Sequence, residues 1–180
     1  MRLDVSPAKR PSATEGPPTR PTSRSVLTRT QPGPLWTAVA AISVFAVDRL
    51  TKLWVTHSLA LGEQLWPAWP VHIYYTINNG AAFSLLPSAN WLFLAVAVLV
   101  VAAILWRWRL LALEPWWVQV GVGLLLGGAI ANALDRITQG YVVDFIQLPH
   151  WPVFNVADSG ITVGVAILVA RIILASRHHA

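Results

Sequence analysis

The chain has 180 residues, 55% hydrophobic and 12% charged, with 13 Lys and Arg against 8 Asp and Glu and no cysteine. Soluble domains carry about 25% charged residues and disordered chains more, so both classes are excluded and a membrane protein is expected. The lack of thiols excludes disulfides, cysteine nucleophiles, iron–sulfur clusters and cysteine-based zinc sites.

The basic excess lies mostly at the start. Met1 to Pro34 hold six basic and two acidic residues, with seven prolines and nine serines and threonines. Such a segment cannot bury enough apolar surface to offset the entropy of ordering it, so residues 1–34 are expected to form a disordered tail. The rest of the chain is close to neutral, and no nucleic-acid partner is expected.

Four apolar runs follow. Leu35 to Val55 is apolar as far as Val47 and then meets Asp48, Arg49 and Lys52. Trp91 to Trp106 and Trp116 to Leu134 carry no charge, and Ala157 to Leu174 carries only Asp158 near its start and Arg171 near its end. At about 1.5 Å per residue each run approaches or reaches the roughly 30 Å hydrocarbon core. This predicts an all-α integral membrane protein, a four transmembrane helix bundle over residues 35–176 with a short C-terminus at 177–180. A cleaved leader would end in small residues at a cut site. The first run leads instead into Asp48-Arg49-Leu50-Thr51-Lys52, so it is expected to be retained.

With the tail inside, ten of the 13 basic residues fall on the inner side, and only Arg49, Lys52 and Arg136 on the outer. Cytoplasmic segments carry this bias, so both termini are expected in the cytoplasm. The ten tryptophans gather at the run ends, where amphipathic indoles prefer the headgroup level. Gly123 with Gly127, and Gly160 with Gly164, are spaced to let helix backbones approach closely.

This orientation gathers the polar residues. Asp48, Glu63, Asp135, Asp144 and Asp158, with Asn78, Asn79, Asn132 and Asn155, all fall outside or at outer helix ends. Asn132, Asp135 and Arg136 are neighbours on one helical face, Asn155 and Asp158 repeat the i,i+3 spacing, and Asp48 with Lys52 is an i,i+4 pair. Ionisable groups at membrane depth are costly unless paired or wet, so they mark function by default. For Asp48 with Lys52, and for Asp135 with Arg136, an interfacial salt bridge that only fixes helix depth is an equal alternative. Asp144 and Asp158 have no Lys or Arg within a helical turn, and the loop between them can fold them together. Around Asp144 the alternation from Tyr141 to Pro149 predicts a strand and turn. Val71 to Tyr75 is a second strand candidate, giving a small extracytoplasmic sheet, and Ala81 to Leu86 is expected to be a short interfacial helix.

Two carboxylates sharing one proton can hold a water between them, one acting as base while the other hydrogen-bonds the substrate carbonyl. This aspartic dyad needs no metal, thiol or cofactor. A Ser-Lys pair is the catalytic rival, with Lys52 and Ser58, Ser84, Ser88 or Ser159. Zinc is disfavoured because His57, His72 and His150 are scattered and no H-E-x-x-H helix exists. A proton-linked carrier would need polar residues through the midplane, where the second and third runs offer Val, Leu, Ala and Gly. A scaffold in which both aspartates are replaceable is the non-catalytic alternative. On residues alone the choice stays between an outer-face hydrolase and a small proton-coupled carrier.

Four blocks carry a resemblance: DRLTK from Asp48, NNGAAFS from Asn78, GGAIANALDRITQGYVVDF from Gly127 and FNVADSGITVG from Phe154. In these the chain resembles the lipoprotein signal peptidases, or type II signal peptidases, bacterial aspartic proteases of the cytoplasmic membrane. The resemblance implies a catalytic pair in Asp144 and Asp158, and substrate contacts from Asn78, Asn132, Arg136 and Asn155. Asp48, Lys52, Gly80 and Asp135 would support that geometry. It implies lipidated prolipoproteins as substrates, cleaved before a diacylglyceryl-modified cysteine at the extracytoplasmic face, by a monomer in contact with membrane lipid. Three departures stand out. Ala131 and Gly160 occupy positions where Gly and Ala are more usual, and Arg49 one that is often Gln. None of these changes is expected to touch a carboxylate.

Overall fold

A computed structural model describes residues 33–80 and 90–177 of the chain. Among these, the elements in chain order are α1 (Leu35–Ser58), β1 (Gln64–Leu65), β2 (His72–Asn78), α2 (Asn90–Trp106), α3 (Trp108–Leu111), α4 (Trp116–Thr138), β3 (Val142–Gln147) and α5 (Val156–Arg177). The structure is mostly helical. Helices α4 and α5, of 23 and 22 residues, are long and apolar enough to cross a membrane, and α2 is a shorter apolar helix of 17 residues. Each long helix starts within a residue of its apolar run. Helices α1, α4 and α5 then continue three or four residues beyond it, because backbone hydrogen bonding carries the helix on into polar sequence. The expected interfacial helix at 81–86 and nearly all of the tail lie outside the described residues.

Helix α4 is central, packed against α1 on one side and α5 on the other. Its glycines make this possible. A Cβ on Gly123 would sit 2.5 Å from the Thr37 carbonyl oxygen, and one on Gly127 would collide with the Ala41 backbone, both on α1. On the opposite face a Cβ on Gly128 would lie 2.5 Å from the Ala157 carbonyl oxygen of α5. Gly164 of α5 meets the Gly121 carbonyl oxygen in the same way, at 2.6 Å. The expected close approach at the paired glycines is present, and Gly121 and Gly128 extend it. Helix α2 differs, since it rests on α4 and buries no residue.

The three strands form one antiparallel sheet in the order β1-β2-β3. The two expected strands pair with each other; β1, two residues long, had no sequence signal. Val143 and Phe145 of β3 pack with Val55 and Leu59 at the C-terminal end of α1. Strand alternation sends Asp144 to the opposite face, beside Asn78 of β2, one diagonal from its partner Thr76. The sheet is thus seated by an apolar cluster, and its other face carries the carboxylate.

Candidate active site

Asp144 and Asp158 come from different elements and meet through one asparagine. Asn155 immediately precedes α5, and its Oδ1 accepts the Asp158 backbone N–H at 2.9 Å. In return the Asn155 N–H donates to Asp158 Oδ2 at 3.2 Å. This reciprocal pair is a capping box, which satisfies two otherwise free N–H groups at the helix start and fixes both side chains. The Asn155 amide nitrogen then points away from the helix and donates to Asp144 Oδ1 at 2.7 Å. Asn155 is fully buried, so it is a bracket behind the carboxylates.

Each carboxylate has a second amide. Asn78 Nδ2 donates to Asp144 Oδ2 at 3.0 Å, and its Oδ1 accepts the Gly80 N–H at 2.9 Å, which fixes the amide orientation. Gly80 has φ +83°, a left-handed conformation that favours glycine. Asn132 Nδ2 donates to Asp158 Oδ1 at 2.7 Å, while its Oδ1 accepts from Lys52 Nζ at 3.0 Å and from Asn155 Nδ2 at 3.2 Å.

Beneath Asn132 lies a buried charge cluster. Lys52 Nζ is 2.7 Å from Asp48 Oδ2 and 2.7 Å from Asp135 Oδ2, and all three side chains are almost wholly buried. Both contacts are at ion-pair distance but lack the alignment of a directed hydrogen bond. The one well-aligned acceptor on the ammonium is Asn132. Asp48 Oδ1 also accepts the Ala157 N–H at 2.9 Å, tying α1 to the start of α5. Three expectations are corrected here. Asp48 and Lys52 do pair, but in the interior, since α1, α4 and α5 close over them. Asp135 pairs with Lys52 and Arg49 rather than with its neighbour Arg136. Arg136 instead donates to the Asn132 carbonyl oxygen and lies 5.1 Å from the Phe93 ring centroid. The third departure from expectation concerns Arg49, whose guanidinium bonds the Asp135 carboxylate directly.

A cavity of about 400 Å³ adjoins the cluster. Asn78, Asn132, Arg136 and Asp158 form its polar end, and α2, α4 and α5 supply apolar walls that include Phe93 and Ile161. The polar end suits a peptide backbone, and the walls suit hydrocarbon.

Burial pushes the Asp144 carboxyl up to about 7, with the nearby Asp158 charge adding to the shift; the Asn78 and Asn155 hydrogen bonds and the Lys52 charge oppose it. A proton is therefore held near Asp144 close to neutral pH, as a shared-proton pair requires. No described serine bonds to Lys52: the Ser159 hydroxyl donates to the Asn155 carbonyl oxygen, and Ser84 and Ser88 lie outside the described residues. His57 and His72 bond to the Leu53 carbonyl and to Gln147.

The family model for signal peptidase (SPase) II matches residues 40–174, which contain every residue named in this site. The chain belongs to the signal peptidase II family. Membership implies a protease. The chain is 39% identical over 137 residues to a lipoprotein signal peptidase of Desulfitobacterium hafniense strain DCB-2, covering 74% of this chain and 90% of that one. It is 43% identical over 139 residues to one of Trichormus variabilis, covering 73% and 85%. Among solved structures it is similar to a bacterial membrane enzyme determined by the in meso method at 2.3 Å, with a TM-score of 0.70 at 26% identity, covering 80% of this chain and 91% of that one. A second membrane enzyme, determined at 1.9 Å, gives a TM-score of 0.66 at 28% identity, covering 76% and 91%.

Proposed function

We propose that this chain is an aspartic endopeptidase of the bacterial cytoplasmic membrane, removing signal peptides from prolipoproteins by cutting before the diacylglyceryl-modified cysteine. The observation that carries the reading is the double grip of Asn155, which bonds Asp144 through its amide nitrogen and Asp158 through the capping box. Two acids bracketed in this way, one of them titrating near neutrality, support a shared proton. In this mechanism the ionised carboxylate takes a proton from a water molecule, whose oxygen attacks the scissile carbonyl carbon. The protonated partner donates a hydrogen bond to the carbonyl oxygen as it becomes tetrahedral. On collapse the C–N bond breaks and the leaving nitrogen takes up a proton from the pair.

In the proposed layout α1, α2, α4 and α5 span the bilayer with both termini in the cytoplasm and the sheet at the outer face. Water then reaches the carboxylates from the sheet side, while acyl chains lie along the apolar walls between α2 and α5. Asn78 and Arg136 are placed to bond the substrate backbone at the cavity's polar end. The test is cleavage of a lipidated prolipoprotein by purified protein in lipid. Asp144→Asn and Asp158→Asn are each expected to reduce turnover by at least 1,000-fold, on the order of general acid–base contributions. Near-normal turnover in either variant would remove the pair from the mechanism.

A further inference from the structure

We propose that Phe93 is a positioning residue for Arg136: its ring holds the guanidinium at the polar end of the cavity and off the carboxylate pair, leaving the cation for a carbonyl of the substrate. This rests on the reading of Asp144 and Asp158 as the reacting groups and of Arg136 as a substrate contact. Phe93 is the one aromatic among the described residues that line the cavity, and its ring centroid lies 5.1 Å from the Arg136 guanidinium carbon. One helical turn earlier, Asn90 donates to the Gly140 carbonyl oxygen just past α4. That bond ties the first turn of α2, which carries Phe93, to the end of the helix that carries Arg136.

Little else restrains Arg136. Its Nη1 donates to the Asn132 carbonyl oxygen at 3.2 Å, its Nε is buried without a hydrogen-bond partner, and among the described residues it forms no ion pair. Yet the charges of Asp158 on α5 and Asp144 on β3 reach it, and Asp158 lines the same cavity. The third acid that reaches it, Asp135 on its own helix, is engaged by Arg49 and Lys52. Asp48 on α1 is held by Lys52, and α2 carries no charged residue. A guanidinium released from the ring would therefore turn to Asp158 or Asp144. In a half-buried site the attraction between a cation and a carboxylate is similar in size to a charged hydrogen bond and a desolvated cation–π contact together, so removing the ring decides the contest for the acids. Two things are then lost. The substrate meets an occupied cation, and a positive charge beside the pair favours ionising both acids over sharing one proton. Phe93 is 36% exposed and α2 buries no residue, so exchanging its ring for a leucine opens no cavity in a core.

The experiment compares wild type with Phe93→Leu and Phe93→Tyr, using Leu92→Ala as a control at an exposed neighbour on the same helix. Phe93→Leu is expected to raise KM about 3- to 30-fold, the range spanned by cation–π contacts. The alkaline limb of its kcat/KM profile, set by the carboxyl that must stay protonated, moves down by about one pH unit. Phe93→Tyr keeps the ring and restores most of both, and Leu92→Ala changes neither. A second readout needs no substrate: in protein labelled with carbon-13 at aspartate carboxyls, the Asp144 titration moves downward in Phe93→Leu. In an Arg136→Gln background the same Phe93→Leu substitution leaves that titration where it was, because no guanidinium remains to move. An Asp144 titration unmoved in Phe93→Leu, a shift of equal size with and without Arg136, or a loss that Phe93→Tyr does not restore would overturn the proposal. If wild type fails to cleave lipidated prolipoproteins, the functional reading falls, while the Asp144 titrations still decide the role of Phe93.

Discussion

Replacing Asp144 with Asn should make the protein inactive and, above neutral pH, more stable. In the folded chain the Asp144 carboxyl titrates near 7 instead of its ordinary 3.8. An acid whose folded value is raised contributes stability that is lost as pH climbs from the unfolded value to the folded one. Integrated over that interval, wild type loses about 4 kcal/mol between acid and mildly alkaline pH. Local opening that lets water reach the ionised group roughly halves the loss, leaving about 2 kcal/mol. Asparagine has a neutral acid's shape and offers one acceptor to Asn155 or Asn78, so the variant should match wild type at about pH 3.5, below the ordinary value of 3.8, where the group is mostly protonated in both states. At pH 8.5 it should unfold several degrees higher, at about 2–4 °C per kcal/mol for a chain of this size. The assay is thermal unfolding of both proteins in the same lipid at the two pH values. An equal difference at both, or a variant less stable at pH 8.5, would refute the claim that burial of this carboxyl strains the fold.

Two further outcomes test the frame around the pair. Lys52→Met leaves Asp48 and Asp135 buried without their shared ammonium, a loss of roughly 3–5 kcal/mol, and should sharply reduce the yield of folded protein; an unfolding temperature within a few degrees of wild type would contradict this. Gly128→Ala puts a methyl group 2.5 Å from the Ala157 carbonyl oxygen and so pushes the start of α5, one residue before Asp158. Its turnover should fall up to about 100-fold, more than its stability loss accounts for, whereas Gly33→Ala, which meets open space, should leave both unchanged.

The helices were legible because hydropathy and run length are local quantities, and all four long helices begin where the apolar runs do. The same holds for β3, whose alternation around Asp144 is visible in its own six residues. What stayed hidden was three-dimensional choice among partners. Arg136 follows Asp135 in sequence, yet successive helical residues point about 100° apart, so the acid turns to Lys52 and Arg49 on α1 while Arg136 faces the cavity. Arg49 looked like a neutral replacement because its target is 86 residues away. The capping box was within reach: Asn155 and Asp158 at a helix start carry its spacing, and reading them as N-cap and N3 would have predicted that both side chains are fixed. The two-residue strand β1 offered too few positions for any periodicity.

Helix α2 buries no residue and leans on α4 with little contact to α5, so one wall of the cavity is held by a single interface. In the four-span layout that seam faces hydrocarbon. An inhibitor shaped for the cavity would then arrive by dissolving in the bilayer first, and the bilayer sets its local concentration. Its apparent potency should follow its lipid–water partition coefficient and weaken as more lipid is added at constant dose, so potencies measured at different lipid-to-protein ratios are not directly comparable.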